Sequence, residues 1–192
     1  MPFIVFYDAN VLYPAELRNF LMHLALMGVF QAKWSADVHE EWIGSLLKNR
    51  PDLTRQQLER TRQLMDRAAP DALVTGYEHL IPGLVLPDER DRHVLAAAIR
   101  SESGVIVTCN LMDFPPQILQ QFDMEAEHPD EFILSLFDLS PTLVAEAAEN
   151  HRTSLKNPAK TVEEYLDSLE SQGLSKTAMT LRGYFRALQS SR

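Results

Sequence analysis

A continuous apolar run, Phe3-Ile4-Val5-Phe6-Tyr7, heads the chain and stops at Asp8. Continuity rather than alternation predicts a strand buried on both faces of a sheet. Asp8 then falls at its carboxyl end, and open α/β sheets bind ligands in the crevice beyond such ends. Asn10 faces the same side if the extended backbone continues. Leu17, Phe20, Leu21, Leu24 and Ala25 recur at helical spacing and predict a helix from Pro14 to about Met27, ended near Gly28. Val29–Trp34 predicts a second strand. Ser35 is placed to cap a helix over about Ala36 to Leu47, which Pro51 ends. Thr54 opens a polar, Arg-rich helix that stops before Pro70. Ala72 to Leu86 carries only a short apolar run, Ala72-Leu73-Val74, and a Pro82-Gly83 turn.

The pattern becomes regular again at Asp88, which opens a helix to about Ser101. Val105–Thr108 predicts another buried strand after Gly104, Pro115 starts a short helix, and Asp123–Glu127 is a candidate edge strand. Pro129–Phe137 reads as helical. Strands alternating with helices predict an α/β fold whose parallel sheet is covered on both faces. From Pro141 onward only helical patterns remain, with a capping box at Thr161-Val162-Glu163-Glu164 and a stop at Gly173. Ser175 can cap a last helix bearing Leu181, Tyr184, Phe185 and Leu188.

Composition narrows the class. The 192 residues, 45% of them hydrophobic, suffice for one full domain with an appendage. The one cysteine, Cys109, forms no internal disulfide, fits a reducing compartment, and reads as buried beside a strand. No signal pattern or membrane-length apolar run is present, so a cytoplasmic protein with no membrane partner is expected. The net charge is −9, yet residues 151–192 hold seven Lys/Arg against four Asp/Glu, leaving −12 on residues 1–150. Blanket nucleic-acid binding by the whole surface is excluded.

The carboxylates carry the chemistry. Asp91 lies one turn before Leu95 and on the apolar stripe of Val94, Leu95, Ala98 and Ile99, so its side chain starts toward the interior. Held there it needs a cation or hydrogen bonds. Asp88 fits an N-cap. Asn110 and Asp113 follow the strand Val105–Thr108, where taken alone they read as an ordinary polar loop, with Asp113 capping the helix at Pro115. Glu41 and Glu40 stand together on the second helix, and helical geometry does not choose between them. Asp8, Glu41, Asp91 and Asp113 come from separate elements that can converge at one end of a parallel sheet. Clustered carboxylates repel unless a divalent cation sits among them, and an oxygen-only set suits Mg²⁺ or Mn²⁺. A zinc-type Cys/His cluster and a phosphate-binding glycine loop are both missing from the sequence.

At Phe6-Tyr7-Asp8-Ala9-Asn10, Ser35 with Glu41, Pro87-Asp88-Glu89-Arg90-Asp91-Arg92-His93-Val94-Leu95 and Val107-Thr108-Cys109-Asn110-Leu111-Met112-Asp113, the chain resembles the PIN-domain proteins. Among these it is most similar to the VapC-type toxin ribonucleases, over roughly residues 1–140. The tail around Lys160–Leu166 resembles a C-terminal extension of one subgroup. The resemblance implies a three-layer α/β/α fold, with a nuclease domain over 1–140 and a helical extension over 141–192. It implies Asp8, Glu41, Asp91 and Asp113 as the acidic site, and it favours Glu41 over Glu40. It also implies a metal-dependent endoribonuclease of a toxin–antitoxin pair, often dimeric, with an RNA substrate and a cognate antitoxin partner.

Asp8 and Asp91 are the expected metal ligands, for Mg²⁺ or Mn²⁺, and metal-activated water is the expected nucleophile. Asn10, Thr108, Asn110 and Asp88 are expected to support them. Asn110 stands where many PIN domains have Asp, which leaves a non-cutting RNA- or partner-binding module as the alternative. A haloacid-dehalogenase-like phosphatase is a weaker rival, since Asn10 cannot act as that family's second, proton-transferring Asp. Lys176, Arg182 and Arg186 are candidate RNA contacts, because an acidic body needs cations to hold a polyanion.

Overall fold

A computed structural model describes residues 3–190; Arg192, counted above among the basic residues, lies outside the described residues. In chain order the elements are β1 (Phe3–Tyr7), α1 (Ala9–Leu12), α2 (Ala15–Leu26), β2 (Phe30–Ser35), α3 (Ala36–Asn49), α4 (Arg55–Ala68), β3 (Leu73–Val74), α5 (Arg92–Arg100), β4 (Val105–Val107), α6 (Pro116–Leu119) and β5 (Glu125–Glu127). Then come α7 (Pro129–Leu139), α8 (Pro141–Ser154), α9 (Val162–Ser171) and α10 (Ser175–Ser190).

These elements form two compact units. The first comprises residues up to Tyr13 together with Gly28–His128, and the second Pro14–Met27 together with residues from Pro129 on. The first unit holds a five-stranded sheet in the order β3-β2-β1-β4-β5. Every pair is parallel, as the strand–helix alternation requires. β1 is central, with Val5 opposite Ala32 on one side and Val105 on the other. Val5, Phe6 and Tyr7 are fully buried, which explains their unbroken apolar run. With its helices the sheet makes the expected three-layer α/β/α fold.

A buried polar network fixes α3. The Trp42 indole N–H donates to His39 Nδ1 at 3.0 Å, so that nitrogen is the acceptor. The His39 proton then sits on Nε2, 3.1 Å from Asp66 Oδ1. Trp34 of β2 donates to the same oxygen at 2.9 Å. One carboxylate of α4 thereby ties α3 to β2.

Four expectations change. The backbone does not stay extended through Asn10. Asp8 instead caps the helical turn α1, its Oδ1 accepting from the Ala9 N–H at 2.7 Å. The helix expected from Asp88 begins as a 3₁₀ turn, Glu89–Asp91, and becomes α-helical at Arg92. Its cause is an Asx-type hydrogen bond in which Asp88 accepts from the N–H two residues on, Arg90. Asp113 does not cap the next helix, whose first residue follows Pro115 with no side-chain cap. Cys109 is exposed rather than buried, because β4 ends at Val107 and burial ends with Thr108.

The second unit is helical. Phe20, Leu24, Phe132, Ile133, Leu136, Val144, Tyr165, Leu166, Leu169 and Leu181 are buried in it. The capping box at Thr161 and Glu164 is present. Asp130 of α7 receives the Lys176 and Thr177 N–H groups at 3.0 and 2.8 Å, satisfying two orphan donors at the start of α10. His151 is buried, stacked on Phe20 at 5.8 Å between ring centroids, with Nδ1 2.9 Å from the Tyr165 hydroxyl.

Candidate active site

The carboxyl ends of β1 and β4 meet at the point where the sheet order turns from one side of β1 to the other. Such a switch point leaves a crevice. Here it opens into a cavity of about 610 Å³ lined by Asp8, Asn10, Glu41, Asp88, Asp91, His93, Asn110 and Asp113, with Glu40, Gly44, Ser45, Lys48 and Arg90 completing the wall. All four acidic residues singled out in the sequence therefore share one space.

Asp8 is buried and tightly held. Its Oδ2 accepts from Asn10 Nδ2 at 2.7 Å and from the Thr108 hydroxyl at 2.8 Å. Asn10 also donates to Thr108 Oγ1 at 2.9 Å and accepts from the Cys109 N–H at 2.9 Å. The Asn110 N–H donates to Thr108 Oγ1 at 3.0 Å. Asn10 and Thr108 thus surround Asp8, and the clamp joins the ends of β1 and β4.

Asp91 ends the 3₁₀ turn and makes no capping hydrogen bond. Asp113 accepts from the Asn110 side-chain amide. Asp88 pairs with Arg90 through both oxygens, Oδ1 at 3.1 Å from Nε and Oδ2 at 2.6 Å from Nη2. His93 went unrecognised in the sequence. Its Nε2 lies 3.3 Å from Glu41 Oε2, so it ties α3 to α5 within the cavity. The signal was weak, since a histidine between Arg92 and Val94 reads as an ordinary polar first turn.

The electrostatics follow from this crowding. Burial pushes the Asp8 carboxyl up to about 6, against the pull of the Thr108 and Ala9 hydrogen bonds. Burial, then the charges of Asp8, Asp113, Asp88 and Glu41, push Asp91 up to about 7. Burial alone would lower the His93 pKa, but the Glu41 carboxylate beside it raises it overall.

Among the described residues, no three His, Cys, Asp or Glu side chains form a ready-made metal cage. The donor set nevertheless suits one class of ion. Mg²⁺ keeps several of its waters and is bound through one or two carboxylates, so an open, oxygen-lined mouth with mutually repelling acids fits it. Asp8 and Asp91 are the two acids of the cavity whose carboxyls burial pushes up.

Lys176, Arg182 and Arg186 lie in the second unit and are ion-paired there. Lys176 contacts Glu131, and Arg182 contacts Glu163, Asp167 and Glu170 at 2.8–2.9 Å. Arg186 lies 3.7 Å from Glu163. For these cations to hold phosphate, those pairs have to open.

Comparison with known proteins agrees with the geometry. Residues 129–183 match the VapC50 C-terminal domain. Over 76 residues the chain is 45% identical to "Putative ribonuclease VapC50" of Mycobacterium tuberculosis (strain ATCC 25618 / H37Rv). The matched segment is 38% of this chain and only 44% of that protein's length. No solved structure matches. The PIN domain profile matches residues 4–112, more than half of the sequence and, but for Phe3, the strands β1 to β4. On that match, the chain belongs to the PIN-domain family.

Proposed function

We propose that this chain is a divalent-metal-dependent endoribonuclease and the toxin of a toxin–antitoxin pair. The observation that carries the reading is the convergence of Asp8, Glu41, Asp91 and Asp113 in one cavity at the switch point of the sheet. The similarity to a protein named as a ribonuclease supports RNA as the substrate.

Asp8 and Asp91 would hold the cation. Mg²⁺ or Mn²⁺ supplies Lewis-acid polarisation and acidifies water. The chain's own groups do the rest. Asn10, Thr108 and the Ala9 N–H hold Asp8 in one orientation, so little reorganisation is left for the reaction itself. Glu41, steadied by His93, faces the same space and orients water. Asp113, held by Asn110, lines the same cavity. Every one of these side chains falls within residues 1–140, the stretch we assign to the nuclease. Residues 141–192 are assigned to the extension, with an antitoxin partner and a homodimer as further expectations.

The test is incubation of purified protein with RNA in Mn²⁺ or in EDTA, followed by mapping of the ends. Wild type is expected to cut only with Mn²⁺. Asp91→Asn, still folded, is expected to lose cutting altogether. Cleavage that persists in EDTA or in Asp91→Asn would sink the reading. A folded wild type that binds RNA in Mn²⁺ without cutting it points to the binding module.

A further inference from the structure

One face of α3 runs along the wall of the cavity. Glu41, Gly44, Ser45 and Lys48 all line it, and spacings of three and four residues set them in a row on one helix face. At 1.5 Å per residue, about 10 Å of helix axis separates Glu41 from Lys48.

Gly44 is the first oddity of this row. It lies inside a helix of 14 residues, where glycine is less favourable than alanine. Its backbone is not in the left-handed region, and an added Cβ would meet nothing within 4 Å. Neither conformation nor packing within the chain asks for glycine there. The space a side chain would take there is open, and Gly44 lines the cavity.

Lys48 is the second. The other cations of the cavity are paired, Arg90 with Asp88 and His93 with Glu41. Among the described residues Lys48 has no carboxylate partner, and the Ser45 hydroxyl has no hydrogen-bond partner. A polyanion entering this cavity meets a cluster of acids, so it needs a cation just beyond them. Lys48 stands at that distance.

We propose that this row seats the single-stranded RNA backbone that flanks the phosphate to be cut. Bare Gly44 lets the sugar–phosphate chain lie against the helix, Ser45 offers a hydroxyl, and Lys48 pairs with a neighbouring phosphate. The proposal rests on the nuclease reading above and adds the track of the substrate. The ordinary role for Lys48 is a favourable charge in the last turn of α3, where cations suit the helix dipole. The two roles differ in what a substitution changes.

The test uses the full chain carrying Asp91→Asn as parent, a labelled single-stranded oligoribonucleotide, and fluorescence anisotropy at several salt concentrations. Adding Lys48→Gln should weaken RNA binding about tenfold at low salt. It should also make the slope of log affinity against log salt shallower by about 0.7, one phosphate contact on a single strand. Adding Gly44→Ala should raise the melting temperature yet weaken RNA binding, two opposite signs that a merely structural glycine does not produce. The seat is overturned if both variants bind as the parent does, or if Lys48→Gln lowers only the melting temperature. Cleavage by wild type with unchanged binding in both variants leaves the nuclease reading standing and removes the seat. Weakened binding in the variants, with no cleavage by wild type, does the reverse. A parent that binds no RNA overturns the seat outright.

Discussion

Asp8 performs two jobs that one substitution separates. It caps α1 through the Ala9 N–H and presents its other oxygen, held by Asn10 and Thr108, at the cavity. Asparagine caps a helix about as well as aspartate. Asp8→Asn should therefore stay folded but lose its metal response. Saturating Mn²⁺ should raise the melting temperature of wild type, since a ligand bound only by the folded state stabilises it. It should leave Asp8→Asn unchanged, and an equal shift in both proteins would remove Asp8 from the ion site. Asp91 gives a pH signature. In the folded protein it and Asp8 titrate near 7 and 6, above the ordinary carboxylate value of 3.8. The folded state then binds more protons than the unfolded chain between those values, so this contribution is present at low pH and is lost as pH rises from about 4 to 7. Without metal, melting temperatures across that range should fall less steeply for Asp91→Asn than for wild type. Both acids were legible in the sequence, Asp8 because it ends an apolar run and Asp91 because it interrupts an apolar stripe. His93 and Lys48 were not, since His93 meets Glu41 from another stretch of chain and Lys48 reads as the ordinary basic end of a helix.

Among the elements, the pairing of helices was the least legible. The spacing of Leu17, Phe20, Leu21 and Leu24 established that α2 is amphipathic, but not which surface it serves. It groups with α7 to α10 rather than with the sheet it follows in sequence. The reason lies in particular contacts. Phe20 stacks on His151 of α8 and stands edge-on to Tyr165 of α9, while Lys160 pairs with Glu16 at 2.6 Å. Burial, with His23 and Lys160 nearby, lowers the His151 pKa from 6.5 to about 4, with Glu16 opposing. The unfolded chain takes up this proton first as pH falls, so stability is complete above about 6.5 and is lost progressively toward 4. Far-UV circular dichroism melts should show that acid loss, and His151→Phe should reduce it while keeping the ring stack. An unchanged acid profile in His151→Phe would place the sensitivity elsewhere.

At the level of the whole molecule, strand–helix alternation was enough to predict the parallel sheet and its acidic end. It was not enough for β3, a two-residue edge strand whose Leu73 and Val74 give too short a pattern to read. The central position of β1 has a consequence for how the protein comes into being. β1 is made before β4 and Thr108, with a long stretch between them, and the Thr108–Asp8 bond spans 100 positions. On the ribosome, Asp8 must wait for its clamp, and Asp91 and Asp113 for their common space. Nascent or prematurely terminated chains ending before Thr108 should be inert toward metal, and ribosome-stalled intermediates of that length should show no Mn²⁺ protection from protease. Chains extended past β5 should gain it. On the nuclease function proposed above, cutting cannot precede the synthesis of Thr108, an interval in which the proposed antitoxin can already be waiting.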